Sequence, residues 1–296
     1  MTARAGGLAA LMLLAAPPVS AQAPVAGTAP VSGTVQPPPT MFSVIDTAIA
    51  EGRLETARDI IARVAPQQDS PELRLRAAEL ALANNALPQA VEAFTALVPT
   101  IGARASQGLG LAKFRAGDLA AARQALEAAV AADPALVRSW IALGVIADRQ
   151  RDFARADTAY ARALAVAPQS APALSNRGYS LMLRGRHAEA EADLVRALAI
   201  EPQLKVAQTN LRLVRAIQGK YREAFAGSTK ATLANDLNTV GFGAMVRGDT
   251  KTAESYFNRA LALNPRFDPV AWANLRYLKA ITEPLGTGVR DDTAAN

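Results

Sequence analysis

The chain has 296 residues, half of them hydrophobic but only 5% aromatic, with 32 basic and 26 acidic residues and a formal charge of +6. It contains no cysteine, which excludes disulfides, thiolate metal sites, a thiol nucleophile and a lipid-modified N-terminal cysteine. Lysine stands at only six positions and arginine supplies the other 26 cations; acids are interleaved among them, so no basic block forms a nucleic-acid footprint.

Residues 1–21 read as a signal peptide. Arg4 supplies the positive start, a short apolar run covers residues 8–16, and Val19, Ser20 and Ala21 form a small-residue cleavage site. A run of about nine residues is too short to anchor in a bilayer. Cleavage after Ala21 is expected, with export to the periplasm or beyond. Residues 22–40, QAPVAGTAPVSGTVQPPPT, form a Pro/Gly-rich linker. No later stretch is apolar and long enough for a stable membrane span.

Residues 41–281 read as pairs of short helices. Gly110, Gly144 and Gly178 are spaced 34 residues apart, and so are Ala122, Ala156 and Ala190. Ala129, Ala163 and Ala197 keep the same step, as do Pro134, Pro168 and Pro202. A period of this length predicts a solenoid in which each helix pair buries its apolar face by stacking on its neighbours. Residues 137–168 show the unit best: Trp140, Leu143, Gly144 and Ala147 share one helical face. After a turn at residues 150–152, Ala156, Tyr160 and Ala163 stripe a second helix, which Pro168 stops. The glycine row marks the closest helix crossing, where only small side chains fit. A further row, Gly52, Asn85, Gly117, Gly185, Gly219 and Gly248, marks the turn between the two helices, with Arg151 as its exception.

Catalytic chemistry has little to stand on. The single histidine, His187, occupies the place of Leu119, Phe153 and Tyr221 in other units, a packing position over the turn. No glycine-flanked nucleophile serine and no phosphate-cradling loop are present. No enzyme activity, cofactor or metal is expected.

The rows resemble the tetratricopeptide repeat, with its small residue in the first helix, its alanine–aromatic–alanine second helix and its closing proline. The resemblance is strong for residues 103–202 and 234–265, where Gly241, Ala253, Phe257, Ala260 and Pro265 return. Residues 205–233 are shorter than a full period and place Arg212 where the small residue belongs. Upstream, residues 71–102 keep Ala78, Ala90 and Phe94, and residues 41–64 keep Ala57 and Ile61. The expected fold is an all-α, right-handed α-α superhelix (solenoid) of about seven helix pairs. Residues 268–281 are expected to form a final solvating helix, and residues 282–296 a disordered tail.

The resemblance implies a concave face lined by first-helix residues at fixed offsets. These are Arg104, Gln107, Leu111, Phe114 and Arg115 in one unit, then Arg138, Ile141, Val145, Asp148 and Arg149 in the next. Ser175, Tyr179, Met182 and Leu183 follow, then Asn235, Asn238, Phe242 and Met245. Phe114, Tyr179, Met182, Phe242 and Met245 are expected to form an apolar floor. Arg104, Arg115, Arg138 and Arg149 are expected to hold acidic groups or backbone carbonyls of a bound peptide. Asn176 and Asn210 occur without the lysines of a carboxylate clamp, which disfavours a chaperone-tail receptor of that type.

The leader, the proline-rich spacer, the degenerate unit and the ending FNRALALNPRFDPVAWANLRYLKA together resemble the tetratricopeptide proteins of tight-adherence (Flp-type) pilus systems. Relatives of that kind are often lipoproteins, and this chain has no cysteine to acylate. The resemblance implies an exported interaction scaffold that assists assembly or localisation of a pilus or secretion complex. The alternative is a general periplasmic adaptor or chaperone-like holder. In both readings the partners are other proteins.

Overall fold

A computed structural model describes residues 40–263 and 268–282. The expected signal peptide, almost all of the linker, Pro265 and all but the first residue of the tail lie outside them. All regular structure among the described residues is helical. The helices run α1 Met41–Ala50, α2 Leu54–Val64, α3 Pro71–Ala83, α4 Leu87–Ile101, α5 Ala103–Arg115, α6 Leu119–Ala132, α7 Val137–Arg149 and α8 Phe153–Val166. They continue as α9 Ala171–Leu183, α10 His187–Ile200, α11 Lys205–Ile217, α12 Tyr221–Ala224, α13 Leu233–Arg247, α14 Thr250–Leu263 and α15 Pro269–Thr282. Among the described residues this makes seven pairs and a terminal helix. The described chain divides into two compact units, residues 40–180 with 196–202, and residues 181–195 with 203–263 and 268–282.

Alanine and one large side chain per pair explain the packing. Ala90, Ala122, Ala156, Ala190 and Ala253 on the second helices are fully buried. The same helices bury Phe94, Leu126, Tyr160, Leu194 and Phe257 completely. Where the first helix carries glycine it leaves the gap that the large residue fills: a Cβ on Gly110 would meet Leu126 at 2.5 Å, and one on Gly241 would meet Phe257 at 2.8 Å. The 34-residue small-residue row is therefore the mould for the large-residue row that follows it.

Each turn returns the chain through one left-handed residue. Gly52, Asn85, Gly117, Gly185, Gly219 and Gly248 all have positive φ, as expected. Arg151 does too, at φ 57°, so it departs from the row in residue type but not in conformation. An acid after the turn caps the next helix: Asp118 accepts from the Ala121 N–H and Asp152 from the Arg155 N–H, each at 3.1 Å. A left-handed L-residue costs about 1–2 kcal/mol, part of which glycine returns through its freer unfolded chain. Arg151→Gly should therefore raise the melting temperature by roughly 1–3 °C, read by circular dichroism. A fall would mean that the arginine side chain contributes more than its backbone costs.

The second unit contains the degenerate pair. Its second helix, α12, is only four residues long, and the small-residue position of its first helix carries no glycine or alanine. Arg212 fills that place. Its guanidinium meets Asp236 of α13 at 3.0 Å, with side chains only 10% and 8% exposed. Asp236 also accepts from the Thr232 hydroxyl at 2.8 Å.

Glu191 of α10 ties the same region together, accepting from Arg215 at 2.8 Å, Gln218 at 2.9 Å and Lys220 at 2.7 Å. Burial pushes its carboxyl up, but these hydrogen bonds outweigh burial and bring it from the usual 4.5 to about 2. A depressed carboxyl stabilises the fold above its unfolded pKa and loses that contribution as pH falls through the folded one. Stability linked to Glu191 should thus drain between about pH 4.5 and 2. Glu191→Gln should flatten the melting-temperature profile over this window; parallel profiles would show that the carboxylate is not held in this way.

Candidate functional site

One cavity of the first unit lies along its first helices. It has a volume of about 440 Å³ and is lined mainly by first helices of four successive pairs. Ser43, Asp46 and Thr47 come from α1, Glu79 and Leu82 from α3, Arg104, Gln107, Leu111 and Arg115 from α5, and Arg138 from α7. Gly108 lets the Phe94 ring pack directly against its backbone: a Cβ there would lie 2.2 Å from that ring, which forms part of the wall.

Three of the four expected arginines, Arg104, Arg115 and Arg138, meet in this cavity. Arg104 donates to Glu79 at 3.2 Å, and Arg115 donates to the Leu82 carbonyl at 2.7 Å. Burial lowers the pKa of Arg115. Burial also lowers that of Arg138, opposed by Glu79 and reinforced by the like charge of Arg115. Arg138 Nε is buried without a hydrogen-bond partner. Burial pushes the Glu79 carboxyl up; Arg104 opposes this and neighbouring Asp46 adds to it. Asp46 pairs with the buried Arg76 at 2.9 Å, and that guanidinium lies 4.4 Å from the Phe42 ring centre. Gln107 donates to the Ser139 hydroxyl at 3.0 Å.

The remaining candidates are not in this cavity. Arg149 lies over the Phe114 ring at 4.6 Å, a cation–π contact that uses both side chains internally. Phe114, Met182 and Met245 are 6%, 3% and 7% exposed. They fill seams and present little of the open floor that their offsets suggested. Tyr179 and Phe242 are half-buried, and burial, helped by the charge of Asp148, raises the Tyr179 phenol. Phe242 and Met245 belong to the second unit, packed with Phe257 and Leu278. Asp148 is buried as well, accepting from the Tyr160 hydroxyl at 2.8 Å and the Ser180 hydroxyl at 2.6 Å. It braces the fold rather than facing a ligand. His187 opens α10 as Leu119, Phe153 and Tyr221 open α6, α8 and α12; burial lowers its pKa.

Asp46 and Glu79 escaped the sequence reading, although the register contains them. Glu79 follows the small Ala78 as Leu111 follows Gly110, Val145 follows Gly144 and Tyr179 follows Gly178. Asp46 holds that place in the first pair. A second cavity of about 540 Å³ lies among α6, α7 and α8, with Trp140 and Leu143 in its wall. Its charged residues Arg123 and Arg155 pair with acids of their own segments.

Residues 108–156 and 141–204 match the family described as tetratricopeptide repeat. The fold is a tetratricopeptide-repeat solenoid. Solved tetratricopeptide-like structures agree at the level of fold. A chain of the APC/C hetero-tetramer Cut9–Hcn1 superimposes with a TM-score of 0.64 at 14% identity, over 80% of this chain and 48% of that one. This chain thus spans about half the length of that neighbour. The apo form of RapI gives 0.61 at 14% identity, covering 81% and 80% of the two chains. A tetratricopeptide repeat protein from Parabacteroides merdae gives 0.52 at 13% identity, covering 80% and 97%. No curated protein matches the sequence. Among the described residues, no helix of this repeat protein is long and apolar enough to cross a membrane.

Proposed function

We propose that this protein is an exported protein–protein interaction scaffold whose first-helix face captures a segment of a partner, and that it serves assembly or localisation of an envelope pilus or secretion complex. Tetratricopeptide folds bind other proteins or peptides and are typically scaffolds rather than enzymes. The observation that carries the reading is the convergence of Arg104, Arg115 and Arg138 on one cavity built by successive first helices. Export rests on Arg4, the apolar run and the Ala21 site. The pilus or secretion role rests on the likeness of the leader, spacer and C-terminal segment to tight-adherence proteins.

A photo-crosslinking residue at Arg104, whose side chain is 48% exposed at the cavity, tests this in cells. The expected result is a shortened chain in the periplasmic fraction, crosslinked to one pilus or secretion component. A broad set of unrelated envelope clients would favour the general holder. An unprocessed chain confined to the cytoplasm would overturn export, and no adduct from this face would overturn the binding assignment.

A further inference from the structure

Two helices of the second unit share one sequence pattern but not one environment. Residues 206–217 of α11, VAQTNLRLVRAI, return in residues 270–281 of α15 as VAWANLRYLKAI, with seven of twelve positions identical. On α11 this pattern lies against α13. Ala216 is fully buried and Ile217 is 8% exposed. A Cβ on Gly243 of α13 would lie 2.4 Å from that of Ala216, so the two helices touch there through small residues. Asp236 of α13 answers Arg212 at 3.0 Å.

On α15 the corresponding side is open among the described residues. Ile281, the counterpart of Ile217, is 50% exposed, and Ala280, the counterpart of Ala216, is exposed as well. Val270 is 58% and Trp272 43% exposed. With Ala273 these residues form one continuous arc around the helix, opposite the buried Ala271, Asn274 and Leu278. Arg276, the counterpart of Arg212, is the one charge inside the arc, and its guanidinium lies 5.3 Å from the Trp272 ring centre. A helix that ends a solenoid needs a polar outer side for solubility, and this one carries the opposite pattern. The sequence of residues 283–296, EPLGTGVRDDTAAN, contains no apolar helical stripe to match it. Leu285 and Val289 are its only large aliphatic residues, and Pro284, Gly286 and Gly288 oppose a helix. A second α15 is a poor match too: the helix bears Arg276 and Lys279 and no acid, so two copies would repel.

We propose that the open face of α15 docks a helix of another protein, in the place that α13 holds on α11. The partner helix sets apolar residues against Val270, Trp272 and Ile281 and a glycine or alanine opposite Ala280. It also carries one acid that meets Arg276 as Asp236 meets Arg212. This face belongs to the second unit and the cavity to the first, so the proposal stands or falls separately from the proposed function.

The probe is a labelled peptide with the sequence of residues 230–248, a copy of α13, added to the full chain and followed by fluorescence anisotropy. The expected result is saturable binding that falls at least tenfold in Trp272→Ala and in Ile281→Asp. Asp236→Asn within the peptide should weaken binding to the parent chain about tenfold. The same change should matter little to the Arg276→Gln chain, because the two groups then no longer meet. Circular dichroism melts confirm that each variant folds as the parent does. No binding, or binding indifferent to Trp272 and Ile281, overturns the proposal; in the second case the peptide enters beside α11 or elsewhere. Tighter binding of a labelled peptide of residues 283–296 also overturns it and makes the chain's own tail the occupant. Sedimentation as a dimer that Ile281→Asp dissolves overturns it in favour of a second copy.

Discussion

Gly144→Leu will lower the melting temperature by roughly 6–12 °C, the shift that about 3 kcal/mol produces in a chain of this size. Even the first carbon of a side chain at Gly144 would lie 2.5 Å from Cε1 and 2.6 Å from Cζ of Tyr160. The ring has no room to retreat. Tyr160 is fully buried, and its hydroxyl is held at 2.8 Å by Asp148, which Ser180 holds in turn at 2.6 Å. α7 and α8 would have to separate, losing contacts along both helices. Thermal melts followed by circular dichroism read the effect, and an unchanged melt would mean that the small-residue row does not mark the crossing. Binding at the cavity should survive at temperatures where the variant is folded, because Gly144 is not among the residues that line it.

Asp236→Ala will destabilise the second unit by about 3–5 kcal/mol, the usual cost of leaving a buried charge without its partner. Arg212 is then the stranded group: burial already lowers its pKa, and Asp236 is the charge that opposes this. Its other contact, with the Ser228 hydroxyl at 3.4 Å, is too long to replace a carboxylate at 3.0 Å. Changing both residues together, Arg212→Met with Asp236→Leu, should restore most of the loss, because an apolar pair removes the desolvation penalty along with the attraction. Urea melts of the single and double variants measure this. If the single variant is as stable as the parent, the pair is better solvated than its 10% and 8% exposures indicate.

Most of the fold was legible because repetition averages out local accident. One turn glycine is weak evidence, but Gly52, Gly117, Gly185, Gly219 and Gly248 at corresponding places identify a left-handed return, and the structure shows it at each. The same register carried Arg151 into that conformation against its residue type. Neighbouring turns define the path, and one unfavourable residue is tolerated. The degenerate unit was legible only as an anomaly. Arg212 in the small-residue place showed that something had changed; the four-residue α12 shows what, since the second helix of this pair is cut to about one turn.

The candidate site was legible in part. First-helix offsets located Arg104, Arg115 and Arg138, which meet in one cavity. The same offsets chose Phe114, Met182, Met245 and Asp148, which are buried. An offset specifies which way a side chain leaves its helix, but not whether the next helix covers it. Glu79 and Asp46 sat at a recognisable offset in the two weakest units, where the pattern was too thin to transfer.

The amino-acid sequence by itself determined the helix pairs, their turns, the small–large crossings and the all-α class, because these depend on contacts repeated within 34 residues. Tertiary structure alone decided which side chains remain open and which charges meet. Arg115 and Arg138, Arg104 and Glu79, and Arg212 and Asp236 come from different helices, and their pairing depends on how closely those helices stack. Burial then sets the strength of each charge, since removal from water is a property of the assembled neighbourhood and not of any segment within it.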